Sequence, residues 1–481
     1  MRQIHILYDE AVCTVVGAYP QLLDKLRYLH HDFDNETKRT SDEEVLLFNE
    51  IPGPPGVMTI QTFPGLREMV KEQATGDGYQ VMEFDTRQQF PKAQLERMVG
   101  FRFSQKQLLT DALSKNLSGL VGAPTRFGKT TLMVNTLRAY PGLKTVVTAP
   151  GVDLLKQLRE DLQAKLPNRK ITGLYTGCSN KYQGDDITVV SMDSLEKCDF
   201  HGTELVLIDE PHSVVTQSRG KFLNSFTRAR RIGYGATLNG RYDRADILIQ
   251  AIIGPVLSNR TYLEAVAEGA VAPIEVCMLK LKFKPFKAND RDRAYKSLIW
   301  NQPNFHQLVA DICKQCLPPE WQTLVFIKNE KQADGIKDCI PDGTIAMAKV
   351  LTTTQRRELF ELMAEDKVKR CICSEIYSTG VTFHEVRALI NAGGGGANIG
   401  CIQKPGRLAE IRPGKKCGLV IDFLWECDDR EFEADRNPKV NQWTAIVKDS
   451  AARKNVYEKK GYNVTIIESI EDLAAFAQRC R

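Results

Sequence analysis

The residues with the plainest chemistry are Ala123-Pro124-Thr125-Arg126-Phe127-Gly128-Lys129-Thr130-Thr131. An apolar run from Leu117 to Val121 leads in and an apolar-periodic run from Leu132 to Leu137 leads out. That is the strand, loop and helix setting of a phosphate-binding loop. A helix beginning at Lys129 would aim its first amides, and the positive end of its dipole, back at the loop. Lys129 would then reach the outer phosphates of a nucleotide, and the Thr130 hydroxyl would ligate Mg²⁺. The general pattern opens on Gly where this chain has Ala123.

A second stretch, Leu205-Val206-Leu207-Ile208-Asp209-Glu210-Pro211-His212, is an apolar run ending in two acids. Such a run reads as a strand covered on both faces, and α/β sheets do their chemistry at the carboxyl ends of such strands. Asp209 would hold the Mg²⁺, and Glu210 would orient and deprotonate an attacking water. Adjacent acids also suit a solvated turn. The phosphate loop about 80 residues upstream favours the chemical reading.

The elements that must position these groups alternate between strand and helix. From 97 to 260 the strand-like runs are Leu117 to Val121, Thr145 to Ala149, Ile187 to Ser191, Leu205 to Ile208 and Arg231 to Thr237, with a helix from Val152 to Leu162. The alternation predicts a parallel sheet covered on both faces. From 261 to 481 it recurs without a second phosphate loop: strands at Thr323 to Ile327, Arg370 to Ser374, Val386 to Asn391 and Gly418 to Phe423, and helices at Lys331 to Lys337, Gln355 to Ala364 and around Ile402 to Leu408. Gly393 to Gly396 reads as a flexible link. Residues 1–95 look like a separate small module, with strands at Ile4 to Tyr8, Cys13 to Val16, Val57 to Gln61 and Gln80 to Phe84 and helices at Gln21 to Leu29 and Leu66 to Glu72. Asn35 to Glu44 is a polar stretch. Thr14 to Leu26 and Thr59 to Met69 echo one another: a strand, an aromatic-Pro pair, then a helix.

Bulk properties bound the answer. A chain of 481 residues makes roughly two to four domains. No apolar run reaches the roughly 18 residues of a membrane span, and the start, Met1-Arg2-Gln3-Ile4-His5, lacks a signal-peptide core, so a cytosolic setting is expected. The net charge of +5 permits a polyanionic partner. Thirteen scattered cysteines include one C-x-x-C, Cys313 to Cys316, which also fits a helix face and is expected to be structural. Leu279-Lys280-Leu281-Lys282-Phe283-Lys284 would line three lysines along one strand face, solvated or against nucleic acid. Arg228, Arg230 and Arg231 cluster near the last strand of the first set.

Further residues complete a series. Gln105 precedes the phosphate loop, and Thr148-Ala149-Pro150 ends the next strand, with Gln157 on the helix that follows. Gly235-Ala236-Thr237 comes after the acid pair. Leu324-Val325-Phe326, Ser378-Thr379-Gly380-Val381 and Gln403-Lys404-Pro405-Gly406-Arg407 follow downstream. In order and spacing, residues 97 to 425 resemble the superfamily 2 helicases, nearest to the UvsW-type recombination helicases of phages. The resemblance implies two tandem RecA-like parallel-sheet domains, 97–260 and 261–481, behind a small α+β N-terminal accessory or DNA-binding domain, 1–95. The C-terminal tail, Asp449 to Tyr462 with Arg453 and Tyr457, is expected to be helical.

The same resemblance assigns roles. Gln105, Thr125, Gly128, Lys129, Thr130, Thr131, Gly380 and Gln403 would bind ATP, with Gln105 reading adenine and Thr130 and Asp209 holding Mg²⁺. Lys129, Asp209 and Glu210, with Arg407 or Arg412 as arginine finger, would carry hydrolysis. His212, Gly235, Ala236 and Thr237 would couple it to movement, and Pro150, Gln157, Ser378 and Thr379 would hold nucleic-acid backbone. Three positions depart from the family pattern: Arg126 stands where Gly is usual, Pro211 replaces Ala in the acidic box, and Gly235 replaces Ser in the coupling motif. The final Arg of Q-x-x-G-R-x-x-R is displaced, since position 410 is Glu and Arg412 comes two residues later. The implied function is an ATP-dependent DNA helicase that binds single-stranded and branched duplex DNA with little sequence preference and unwinds or branch-migrates branched DNA in the host cytoplasm, without membrane association and in an oligomeric state the sequence leaves open. A double-strand translocase or RNA helicase of the same architecture is the nearest alternative, and a scaffold without turnover a more distant one.

Overall fold

In the computed structural model the alternation resolves into two units, Met1–Thr261 and Tyr262–Arg481. The structure describes residues 2–33, 40–87, 89–176, 184–195, 200, 202–216, 223, 226, 228–236, 238, 246–347, 350–374, 385–396, 404–427 and 442–481.

The first unit holds two sheets. The N-terminal sheet has the order Phe48–Glu50, Thr59–Thr62, Cys13–Val16, Gln3–Tyr8, Gln80–Asp85, antiparallel except for the last pair. Alternation in Gln3–Tyr8 buries Ile4 and Ile6 completely, as a half-covered strand requires. The sequence echo is real in space: Cys13–Val16 and Thr59–Thr62 pair as neighbours, and each leads through an aromatic-Pro pair into a helix, at Pro20–Lys25 and at Pro64–Leu66 continuing as Arg67–Gly76. Proline suits the first turn because its fixed φ is helical and the missing N–H has no intrahelical partner there. The first of these helices ends at Lys25, short of the expected Leu29. Arg27–Phe33 instead pairs with Thr40–Leu46 as a two-stranded ladder, so part of the polar stretch is strand.

The second sheet has seven parallel strands in the order Ile171–Leu174, Ile187–Val190, Thr145–Thr148, Leu205–Asp209, Arg230–Gly235, Gly119–Gly122, Val256–Asn259. The acidic strand and the phosphate-loop strand therefore flank Arg230–Gly235. The two sheets share one apolar core that includes Ile4, Ile60, Leu120 and Val206. Arg230 and Arg231 are buried in the join. Arg230 lies 3.4 Å from Glu10 Oε1, Arg231 donates to the Glu10 carbonyl, and Ser118 Oγ donates to Glu10 Oε2 at 3.2 Å. Burial pushes the Arg231 guanidinium down to about 10. These two arginines are anchors of the N-terminal module, whereas Arg228 is exposed.

The second unit carries another seven-stranded parallel sheet, ordered Thr344–Ala346, Arg370–Cys373, Gln322–Phe326, Val386–Asn391, Gly418–Cys427, Ile274–Phe283, Asn463–Ile467. Two such sheets are the tandem RecA-like architecture, with the small mixed sheet before them. The tail is more than helical. After the helix Thr444–Lys459, Asn463–Ile467 closes the sheet edge and Ile470–Arg479 packs beneath. Arg453 and Tyr457 on the tail helix converge on the fully buried Asp422: Arg453 donates from Nε at 2.9 Å and Nη2 at 2.8 Å, Tyr457 at 2.8 Å, and Asn391 at 3.0 Å. Burial raises the Asp422 pKa, but the paired guanidinium outweighs it and the carboxyl sits below its usual value.

Gly393 to Gly396 is pinned, against the expectation of a flexible link. Gln332 donates to the Ala392 carbonyl at 2.8 Å, Trp300 to that of Gly393 at 2.9 Å, and Arg453 to that of Gly395. Gly394 and Gly395 have φ of +64° and +93°, backbone that glycine adopts without a steric cost. Cys313 and Cys316 are buried core residues, and burial pushes the Cys313 thiol up to about 12. Lys280 lies 3.2 Å from Glu426 on one neighbouring strand and 3.4 Å from Glu468 just past the other, which commits its charge to the sheet.

Candidate active site

The strand Gly119–Gly122 delivers the phosphate loop, and Gly128 caps the helix Lys129–Ala139 with φ +97°. A Cβ at Gly128 would stand 2.5 Å from Nε2 of Gln105, so the close approach as well as the dihedral demands glycine. Gln105 is buried on the helix Gln105–Ser114. Its Nε2 donates to the Phe127 carbonyl and its Oε1 accepts from the Arg102 amide at 2.9 Å. The resemblance assigns Gln105 to adenine; in the structure both ends of its amide hold backbone, one of them the loop itself.

The acidic strand ends in an unusual backbone. Glu210 adopts φ +48° and ψ +59° and caps the short helix Pro211–Val214, which starts on its proline. The Glu210 amide donates to the Tyr234 carbonyl at 2.9 Å. This fixes the carboxylate toward the phosphate loop, where Lys129 Nζ donates to Glu210 Oε1 and lies 3.8 Å from Asp209 Oδ1. His212 Nδ1 is 3.5 Å from Glu210 Oε2. Asp209 is buried, which raises its pKa, and Lys129 offsets part of that rise. One ammonium facing two carboxylates leaves the group one negative charge in excess. Carboxylate and hydroxyl oxygens are the donors Mg²⁺ prefers. Asp209 and Thr130 therefore fit the ion by donor type, and the uncompensated charge fits it by sign.

Two departures from the family pattern meet each other. A Cβ at Gly235 would stand 3.3 Å from Pro211 Cδ and 3.6 Å from Pro211 Cγ. The ring of Pro211 occupies the room that a serine at 235 would need. A further link escaped the sequence reading: Thr136 Oγ1 and the Tyr234 hydroxyl are 2.6 Å apart in the buried layer between the phosphate-loop helix and the strand Arg230–Gly235. The only local sign was a bulky polar residue between two strand glycines, Gly233 and Gly235.

A family model described as "Type III restriction enzyme, res subunit" matches residues 95–240, the segment just described. "Putative helicase 22" of a Sulfolobus islandicus filamentous virus is 23% identical over 349 residues, covering 65% of this chain and 61% of its own. These likenesses support a superfamily 2 helicase. The chain spans under two thirds of that viral relative. Among solved structures, Saccharomyces cerevisiae Dbp5 bound to RNA and ADP BeF3 is similar in fold, with TM-score 0.54 and 14% identity over 81% of this chain and 100% of that one. T4 UvsW aligns over 97% of this chain and 99% of its own at TM-score 0.42 and 15% identity, a likeness that separates no subfamily.

The remaining motif residues distribute as follows. Thr125, Thr130 and Thr131 line the loop, half-buried, and Ala236 follows the strand Arg230–Gly235. Pro150 follows the strand Thr145–Thr148, and Gln157 is exposed on Val152–Lys165. In the second unit Arg407 is buried, in the turn after Lys404, and the buried Lys404 ammonium lies 5.1 Å from the centre of the Phe326 ring. Arg412 is more exposed and is held by acids of its own unit, 3.1 Å from Glu410 and 4.0 Å from Glu385. Thr237, Ser378, Thr379, Gly380 and Gln403 lie outside the described residues. Among the described residues no helix is long and apolar enough to cross a membrane.

Proposed function

We propose that the chain is an ATP-driven motor that moves on and unwinds DNA, with branched DNA as the preferred substrate. The observation that carries this reading is the contact of Lys129 with both Glu210 and Asp209 at the carboxyl ends of strands in a parallel sheet. Phosphoryl transfer needs positioning and charge stabilisation more than covalent chemistry. Incoming phosphates would draw Lys129 off Glu210 and so free Glu210 to orient the attacking water. Mg²⁺ held by Thr130 and Asp209 would neutralise charge on the outer phosphates. Arg407 is the better candidate for the trans-acting cation, because it is buried and held in the turn after Lys404, whereas Arg412 is more exposed.

The charge distribution bears on the track. Residues 1–95 carry nine Lys and Arg against fifteen Asp and Glu, a net −6, while the whole chain is +5, which leaves +11 on residues 96–481. Backbone binding to a polyanion needs cations, so we assign nucleic-acid contact to the two RecA-like units and an accessory role, without DNA contact, to the N-terminal module. The RNA-bound fold relative supports an RNA helicase as the second reading. ATP turnover with no nucleic acid, single-stranded DNA, a four-way junction and an RNA duplex separates the readings. Turnover stimulated by DNA and abolished by Glu210→Gln, with ATP binding retained, is the expected result. Wild-type turnover in Glu210→Gln would remove the water-orienting role.

A further inference from the structure

Arg230 is only 3% exposed, yet its partners meet its charge incompletely. Glu10 Oε1 lies 3.4 Å from Nη2, and Asn116 Oδ1 accepts from Nη1 at 3.4 Å. Both distances are long for a guanidinium. The Nε is buried and has no hydrogen-bond partner among the described residues. Burial pushes the guanidinium below its usual pKa, and Glu10 offsets part of that fall. The ring of Phe90, 4.4 Å from Cζ, packs on the guanidinium and helps to fix it. A buried cation short of partners is costly, and this one borders open space. Arg230 lines a cleft of about 630 Å³. Asn116 lines it as well, and the segment leaving the N-terminal sheet adds Asp85, Arg87, Phe90 and Lys92. Arg87 forks onto Asp85, from Nε at 2.8 Å and Nη2 at 2.5 Å. Lys92 is exposed and meets no hydrogen-bond or ion-pair partner among the described residues. Three cations against one acid give the lining a net +2. Arg230 opens the strand Arg230–Gly235, and Asn116 stands three residues before Gly119–Gly122. The cleft therefore lies at the amino ends of these strands, whereas the phosphate loop and the acid pair lie at the carboxyl ends.

We propose that this cleft is a second ligand site, separate from the phosphate loop, and that it binds a phosphate monoester. The cationic lining selects an anion. A phosphate group brings three acceptor oxygens to the Arg230 guanidinium, the Asn116 amide and the Lys92 ammonium, whereas a carboxylate brings two in one plane. Guanidinium suits phosphate because its donors form a fixed planar fork. The volume falls within the roughly 300–1,000 Å³ of small-molecule sites and far exceeds a lone phosphate, so the ester carries an organic body that lies against Phe90. Such a ligand would tie the segment leaving the N-terminal module to the sheet of the first RecA-like domain. The proposal does not depend on the reading of the phosphate loop.

The test is calorimetric titration of phenyl phosphate into the full-length wild type, Lys92→Glu, Arg230→Gln and Lys129→Ala. Lys92→Glu and Arg230→Gln are each expected to weaken binding at least about tenfold, as loss of a bond to a charged group does. Lys129→Ala, which removes the cation of the phosphate loop, should change it by less than about twofold. Benzoate should bind the wild type at least about tenfold more weakly than phenyl phosphate. Arg230 also anchors the N-terminal module, so Arg230→Gln is read only if its thermal unfolding matches wild type; Lys92→Glu alters an exposed side chain and keeps the test decisive. The ester has two sources, a free small molecule or the 5′ end of a strand. A 5′-phosphorylated oligonucleotide that binds more tightly than its 5′-hydroxyl counterpart, and loses that advantage in Lys92→Glu, makes the strand end the source; equal binding of the two makes it a free ester, and the site is upheld in both cases. No saturable binding of phenyl phosphate to the wild type, or wild-type affinity in Lys92→Glu, overturns the site. Binding lost in Lys129→Ala but kept in Lys92→Glu places the phosphate in the loop and also overturns it. Benzoate binding as tightly as phenyl phosphate overturns the assignment to a phosphate monoester.

Discussion

Pro211 and Gly235 should behave as one unit under mutation. At Gly235 an added Cβ would lie 3.3 Å from Pro211 Cδ, 3.5 Å from Leu238 Cδ2 and 3.6 Å from Pro211 Cγ. The first distance is too short and the other two are ordinary contacts, so the strain is of the smaller overpacking kind, about 1–2 kcal/mol. Replacing glycine where φ is not left-handed returns about 0.4–1 kcal/mol through the unfolded chain. Gly235→Ser alone should therefore destabilise the first unit by about 0.5–1 kcal/mol, or about 1–4 °C for a unit of this size. Pro211→Ala removes two ring carbons at about 0.8 kcal/mol each when fully buried, and it also empties the space that the serine needs. In that background Gly235→Ser should reverse sign and stabilise by about 0.5 kcal/mol. The expected coupling is about 1–1.5 kcal/mol, well above the roughly 0.3–0.5 kcal/mol scatter of independent sites. Thermal unfolding of the wild type, both single variants and the double variant measures it, following the transition assigned to the first unit. If Gly235→Ser costs the same in both backgrounds, the two departures from the family pattern are unrelated and the packing argument fails.

Three further outcomes follow from the same structure. Burial raises the Asp209 pKa, so its contribution to stability is fully present below the unfolded value near 3.9 and is lost as pH rises through the folded value; Asp209→Asn should thus melt higher than wild type at neutral pH without nucleotide, by about 2–4 °C per kcal/mol recovered, with the difference vanishing near pH 3.5. Asp422 is held below its usual pKa, so its contribution is present above the unfolded value and is lost as pH falls through the folded one; Arg453→Met, which strands the carboxylate, should destabilise the second unit by about 3–5 kcal/mol in urea unfolding, and an unchanged midpoint would show that the tail helix is not held by this pair. Arg407→Ala should lower kcat by about 10³-fold with ATP affinity nearly intact, and Arg412→Ala should cost far less; steady-state kinetics with the reverse ranking would make Arg412 the trans-acting cation.

The sequence by itself determined the chemistry and the order of elements. A Gly-Lys-Thr loop between an apolar strand and an apolar-periodic helix, and a buried strand ending in two acids, are local patterns: the backbone dihedrals and periodicity they require lie within about ten consecutive residues. Strand positions at Thr145, Ile187, Leu205 and Val386 were legible for the same reason, because a strand covered on both faces must be continuously apolar. The family pattern even marked Arg126, Pro211 and Gly235 as departures, though not that two of them compensate. What the tertiary structure decided were the pairings between distant residues. Arg231 meets Glu10 across 221 positions, and nothing near either residue announces it; as a lone cluster, Arg228, Arg230 and Arg231 read equally well as surface. The strand Asn463–Ile467 shows a mixed burial pattern and gains its identity only from pairing with Ile274–Phe283. Four glycines in a row suggest freedom, since glycine restricts its own backbone least, yet Gln332, Trp300 and Arg453 take the carbonyls of Ala392, Gly393 and Gly395 in turn. The same absence of side chains that leaves such a loop mobile in isolation lets three remote donors reach its backbone, and only the fold determines whether those donors arrive.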